Sequence, residues 1–115
     1  MKKHQGSCHC GKVSFEVEMD IKNALSCNCS ICQKRGSLLD FVPETQIHVK
    51  GESELQEYLF NKKVIHHYFC KTCGILPFGK ATTPDGKKMV AVNLRCIDGI
   101  DLKSLVINEY DGRSK

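Results

Sequence analysis

This sequence has no tryptophan and only three prolines. None of its apolar runs approaches the roughly 18 residues of a membrane-spanning helix. The basic opening, MKKHQGSCHCGK, is not followed by the apolar stretch of a secretory leader, so the expected setting is a reducing cytoplasm. Repeats, low-complexity tracts and linker-like runs are also missing. At 115 residues the expectation is therefore one domain spanning residues 1–115. No Ser-His-Asp pattern, phosphate-binding loop or nucleotide-binding glycine motif is found, which removes the mechanisms that depend on them. With eight Phe and Tyr residues and scattered lysines, a nucleic-acid-binding face is not expected either.

Cysteine, by contrast, is abundant. Seven of the eight cysteines fall into the clusters Cys8-His9-Cys10, Cys27-Asn28-Cys29-Ser30-Ile31-Cys32 and Cys70-Lys71-Thr72-Cys73. An even count admits a disulfide framework. The C-x-C and C-x2-C spacings and the expected reducing compartment favour thiolates converging on metal instead. The formal charge of +4 counts every thiol as neutral. Seven thiolates and two Zn2+ would lower it to about +1, which removes the charge argument for a polyanion partner.

Most of the chain reads with a period of two. Residues 13–19 alternate apolar Val13, Phe15, Val17 and Met19 with polar positions. Strands are also predicted at 38–42, where Pro43 stops the run, at 47–49, at 89–96 and at 106–110. Residues 55–60 and 64–69 flank Asn61-Lys62-Lys63 as a hairpin, and Pro84-Asp85-Gly86 marks a turn. Only 30–36 and 101–105 suit helix, each of one or two turns. The fold class is thus mainly β, a small and mostly antiparallel domain with zinc-bearing loops and very little helix.

The two cysteine pairs suit one closed tetrahedral site. Cys70-x2-Cys73-Gly74 is a zinc knuckle, and the glycine suits a turn with positive φ. Cys8-x-Cys10-Gly11 supplies the other half. Such a site leaves no vacancy, so Cys8, Cys10, Cys70 and Cys73 read as ligands of a structural zinc. The alternative is two buried pairs of free thiols. Cys27, Cys29 and Cys32 can reach a second zinc without long-range help. The fourth ligand is then Cys96, water or substrate. Cys96 alternates in phase with Val90, Val92 and Leu94, which favours a core thiol and leaves the position open. Three thiolates on Zn2+ carry a net charge of −1. Bound water would be acidified less than on three histidines, and a soft thiol suits the site better.

The segments Gly6-Ser7-Cys8-His9-Cys10-Gly11, Cys27-Asn28-Cys29-Ser30-Ile31-Cys32-Gln33-Lys34 and Phe69-Cys70-Lys71-Thr72-Cys73-Gly74, with Val92 to Gly99 behind them, resemble the glutathione-dependent formaldehyde-activating enzymes. The resemblance spans residues 6–99. It implies a β-tent fold shared with centromere protein V and a cofactor complement of two zinc ions per chain. It implies structural zinc at Cys8, Cys10, Cys70 and Cys73 and a catalytic-type zinc at Cys27, Cys29 and Cys32. The implied reaction is the condensation of formaldehyde with glutathione to S-hydroxymethylglutathione, a carbon–sulfur lyase type of activity.

Other residues complete the reading. Arg95 is a candidate partner for a substrate carboxylate, sharing with Asn93 the strand face opposite Cys96, against the alternative of a solvated arginine. Lys34 and Arg35 follow the triplet and would attract an anionic thiol, or simply face solvent. His66 and His67 could support a metal ligand or transfer protons, though ordinary core or surface histidines fit as well. Asp40 is a weak general-base candidate, and His9 an incidental neighbour of two ligands. The expected function is an enzyme acting on a small-thiol adduct such as S-hydroxymethylglutathione, without nucleic-acid or membrane partners. The competing reading is a non-catalytic two-zinc β module for protein interaction, in which Cys96 closes the triplet site. A thiol-based redox sensor is a further alternative.

Overall fold

Alternation of apolar and polar side chains sets the strands, and glycine and proline set their ends. The computed structural model describes residues 2–59 and 65–114. Its strands are β1 (Lys2–Ser7), β2 (Ser14–Met19), β3 (Asn23–Cys27), β4 (Leu39–Pro43), β5 (Ile47–Lys50), β6 (Leu55–Tyr58), β7 (His66–Cys70), β8 (Phe78–Thr82), β9 (Lys88–Asn93) and β10 (Val106–Tyr110). Among the described residues there is one α-helix, α1 (Ser30–Arg35), which ends at Gly36 in the left-handed conformation. Leu102–Ser104, expected as a helical turn, is a short 3-10 segment. The mainly-β, antiparallel-rich architecture agrees with the alternation.

The strands form two sheets. A three-stranded sheet runs β1-β2-β5, and a seven-stranded sheet runs β10-β3-β4-β9-β8-β7-β6. All pairings are antiparallel except β10 with β3, which is parallel from Val106↔Asn23 to Tyr110↔Cys27. Parallel neighbours need a long crossover, and these two strands are separated by most of the chain. No local pattern announces that pairing. The hairpin β6–β7 pairs as expected from Leu55↔Cys70 to Tyr58↔His67. Its expected turn at Asn61-Lys62-Lys63 lies outside the described residues.

The core lies between the sheets. Phe15, Val17 and Met19 of β2 meet Val42, Phe78, Val90 and Val92 of the larger sheet. Phe15 and Phe78 pack edge to face with ring centroids 6.4 Å apart, the favoured aromatic geometry. The strand expected at 89–96 is shorter than its alternation suggests. β9 ends at Asn93, and Leu94–Cys96 turn into a 3-10 segment. The buried Asn93 side chain causes the break. It donates from Nδ2 to the Leu76 carbonyl at 2.9 Å and accepts the Arg95 N–H at 3.2 Å. The sequence pattern does not announce β1, β8 or β3, the strand that delivers the chain to the cysteine triplet. Among the described residues no helix is long and apolar enough to cross a membrane.

Candidate metal centres

Two groups of cysteine sulfurs converge, each with its sulfurs within 4.8 Å of one another: Cys8, Cys10, Cys70 and Cys73, and Cys27, Cys29 and Cys32. They are the groups that the spacing predicts. Hairpin β1–β2 builds the first half of the four-cysteine cluster. Its loop folds back through Cys8 N–H to the Val13 carbonyl at 3.0 Å, and the Val13 N–H donates to Cys8 Sγ at 3.4 Å. The end of β7 builds the second half. Gly74 N–H closes a turn onto the Cys70 carbonyl at 2.8 Å, with Gly74 at φ +80° as expected.

The two halves meet with Cys8 and Cys10 sulfurs 3.7 Å apart and Cys10 and Cys70 sulfurs 3.6 Å apart. Four sulfurs about 2.3 Å from a tetrahedral zinc would lie roughly 3.8 Å from one another, so this donor set fits that ion. Cys8 and Cys70 are buried with Val13, and Val49 and Leu55 pack against them. Main-chain N–H groups favour thiolate at Cys70 and Cys73. At Cys10 the Lys12 N–H, the largest single influence, is outweighed by burial and the neighbouring sulfurs together, and the thiol is raised to about 11. The Ile75 N–H is foremost in pulling Cys73 down to about 6, against the opposing effect of burial. Gly51 seats the hairpin loop on the end of β5. It has φ +84°, and a Cβ on it would stand 2.0 Å from the Lys12 carbonyl oxygen.

The triplet is built locally. Cys27 ends β3, Cys29 caps α1, and Cys32 lies one turn into that helix. The Cys29 N–H donates to Cys27 Sγ at 3.4 Å. Burial is the largest influence on the Cys29 thiol and raises its pKa. It is outweighed by donors from the Cys32 backbone and the neighbouring sulfurs, so the net shift is downward. Cys32 is pushed up to about 12 by burial, then by the Cys29 and Cys27 sulfurs, with Arg35 opposing. The Arg35 guanidinium is fixed by Nε donating to Ser37 Oγ at 2.9 Å, and its Nη2 lies 3.9 Å from Cys32 Sγ. A fixed cation beside the triplet would offset part of the negative charge of three metal-bound thiolates.

Among the described residues no fourth cysteine, histidine or carboxylate joins the triplet. Cys96 is buried in the main core, with its sulfur 3.7 Å from the Leu76 carbonyl oxygen. Burial raises it to about 11, and the charges next in influence are Cys8 and Cys73 of the other cluster. The core-thiol reading of Cys96 therefore agrees with its position. The phase argument behind that reading does not, because Cys96 lies on a 3-10 turn and not on the strand.

A cavity of about 540 Å3 opens beside the triplet, within the usual range of small-molecule sites. Cys27, Cys32, Gln33, Arg95, Tyr110 and Asp111 are among its walls. Arg95 comes to this wall from the 3-10 turn, with Nε donating to the Gly36 carbonyl at 3.0 Å. The expectation that Asn93 shares its face is corrected, since Asn93 is buried and shapes the turn. Lys34 and His9 are exposed. Asp40 is half-buried on β4, with a pKa raised mainly by burial, and it does not line the cavity. His66 Nδ1 lies 3.2 Å from Glu57 Oε2, and His67 is buried on β7; neither belongs to a sulfur cluster. Residue patterns alone miss Gln33, Tyr110 and Asp111. Only the position of Gln33 directly after Cys32 offers a signal.

Comparison with known proteins adds a second line of evidence. The family model described as glutathione-dependent formaldehyde-activating enzyme matches residues 3–107. A Colletotrichum graminicola protein, provisionally named a glutathione-dependent formaldehyde-activating enzyme, is 31% identical over 83 residues. That alignment covers 67% of this chain, and the chain spans 44% of the length of this curated relative. A crystal structure of a Rhodobacter sphaeroides protein superposes with a TM-score of 0.77 at 28% identity, covering 90% of this chain and 99% of that one.

Proposed function

The chain belongs to the glutathione-dependent formaldehyde-activating enzyme family, and we propose that it catalyses carbon–sulfur bond formation or cleavage on an adduct of formaldehyde and a small thiol such as glutathione. The observation that carries this reading is the triplet itself. Three converging sulfurs have no fourth protein ligand among the described residues, and two of them face a cavity of small-molecule size. In this reading Cys8, Cys10, Cys70 and Cys73 hold a zinc that staples the fold. Cys27, Cys29 and Cys32 hold a second. That zinc, when bound, would supply a Lewis-acidic position that favours a thiol sulfur as its thiolate.

The chain's own residues would then bind and orient. Arg95 faces the cavity with its guanidinium anchored on the Gly36 carbonyl, placed to pair with a substrate carboxylate. Arg35 compensates thiolate charge beside Cys32. In the condensation, the thiol sulfur bonds to the formaldehyde carbon, the C–O π bond opens, and the oxygen takes up the proton that the thiol loses. The reverse reaction returns that proton as the C–S bond breaks. Holding two small reactants together in one cavity supplies the acceleration.

The test is zinc per chain on protein purified without chelator, followed by cobalt replacement and titration with glutathione. Two metals per chain, with the spectrum of one shifted by glutathione, supports the enzyme. Two metals indifferent to thiols would sink it and favour a two-zinc interaction module.

A further inference from the structure

Residues 110–114 leave β10 and cross one side of the triplet. Asn28, between two of the three candidate ligands, holds them there with its backbone and both ends of its side-chain amide. Its backbone N–H donates to the Tyr110 carbonyl at 3.1 Å, and its Nδ2 donates to Asp111 Oδ1 at 3.0 Å. Its Oδ1 accepts the Arg113 N–H at 2.9 Å. The Arg113 guanidinium adds a bond to Gln33 Oε1 on α1. Gly112 is where this segment touches the cysteines. A Cβ there would lie 2.5 Å from Cys27 Sγ and 3.2 Å from Cys29 Cβ. Its φ lies outside the left-handed region, so glycine is required by the close approach alone. The cavity, meanwhile, touches Cys27 and Cys32 but not Cys29. Residues 110–114 lie beyond the family match, which ends at residue 107.

We propose that residues 110–114 form a strap that crowds the Cys27–Cys29 side of the triplet, leaving both cysteines only half-buried. Its Tyr110 and Asp111 are one wall of the cavity, so that a ligand approaching the sulfurs must fit between the strap and Arg95. Asn28 is the clasp and Gly112 the contact point. The two are specificity-determining residues that admit a ligand entering by a single thiol sulfur from the cavity and exclude chelators that must bring several donors to the metal at once, which need the room the strap fills. The inference rests on the proposed function for the identity of the thiol. It does not rest on that function for the existence of the barrier.

The test uses the full metal-loaded chain and the variants Asn28→Ala and Gly112→Ala. Two rates are measured: metal release from the triplet to the chelator 4-(2-pyridylazo)resorcinol, and alkylation of Cys29 by a bulky maleimide, mapped by peptide mass spectrometry. Removing two side-chain hydrogen bonds, or inserting a methyl group against the sulfur, should raise both rates roughly tenfold. Release from the four-cysteine site, the internal reference, should stay unchanged. Wild-type rates of alkylation and release in both variants would overturn the strap. Should glutathione leave the wild-type cobalt spectrum unmoved while the variants still accelerate, the strap stands and the thiol-handling function falls.

Discussion

The two cysteine clusters use the same ligand atom and differ in how the chain assembles them. The four-cysteine cluster joins a hairpin loop to the end of a strand 60 residues later, and Val13, Val49 and Leu55 seal Cys8 and Cys70. The triplet comes from six consecutive residues at a strand-to-helix turn and borders a cavity. A site gathered from distant segments exists only when the fold does, so metal affinity there becomes folding free energy. A site gathered locally costs the fold little, and its remaining position is left to the surroundings. In the proposed reading, this difference in assembly separates a staple from a working centre more sharply than the number of ligands does.

The most severe way to break this comparison is to remove one ligand from each cluster. Cys70→Ser should abolish cooperative folding. Structural zinc sites contribute about 10 kcal/mol or more in apparent terms, against a net domain stability of about 5–15 kcal/mol. Cys29→Ser should keep the wild-type melting profile, lose one zinc and lose turnover. Near-UV circular dichroism, thermal melts and zinc counts on both variants decide the matter. Equal loss of fold in the two would erase the distinction.

Gly51→Ala sharpens the comparison without touching a ligand. The added Cβ meets the Lys12 carbonyl at 2.0 Å in a left-handed backbone, a strain of about 2 kcal/mol or more. The melting temperature should fall by several degrees, and zinc should leave the four-cysteine site first. Calorimetry with site-resolved metal release would show it.

Arg95→Ala probes the other centre. Loss of a charge-assisted contact to a carboxylate should raise KM about tenfold with kcat little changed, which corresponds to about 1.4 kcal/mol. The melting curve should not move. An unchanged KM would remove Arg95 from the substrate site.

The smallest effect is a pH dependence belonging to the fold alone. Burial foremost, then Arg35 and His66, holds the His67 pKa below 6.5. The unfolded chain therefore takes up its proton first as pH falls. The stability that His67 contributes is complete above about pH 6.5 and is lost progressively below it. His67→Gln should flatten that slope relative to wild type and leave the curves parallel above pH 7. Chemical denaturation of the zinc-loaded proteins across this range measures it. Identical slopes would remove His67 as a source of acid sensitivity.

Much of this architecture is legible in the order of the residues. The alternation at 13–19 marks Phe15, Val17 and Met19 as core, and they are buried. The helix expected at 30–36 is α1, with Gly36 as its stop. The end of β9 is not legible, because Asn93 acts through the Leu76 carbonyl, a partner 17 positions away. Strand β3 escapes notice because Asn23 to Cys27 lacks clean alternation, and its partner β10 lies far along the chain. Residues 111–114 carry no pattern of their own. Their role depends on Asn28, more than 80 residues earlier.

What the sequence determined by itself is the set of candidate donors. Ligand type, ligand spacing and the count of two pairs and one triplet are local properties, and local spacing governs which sulfurs can share an ion. What only the tertiary structure decided is access. It brought Cys8 and Cys10 to Cys70 and Cys73, sent Cys96 into the core away from the triplet, and set Arg95 on the cavity wall. It also laid Gly112 against Cys27. Exposure and approach depend on contacts between residues that are remote along the chain, and such contacts come into existence only when the sheets close on their core.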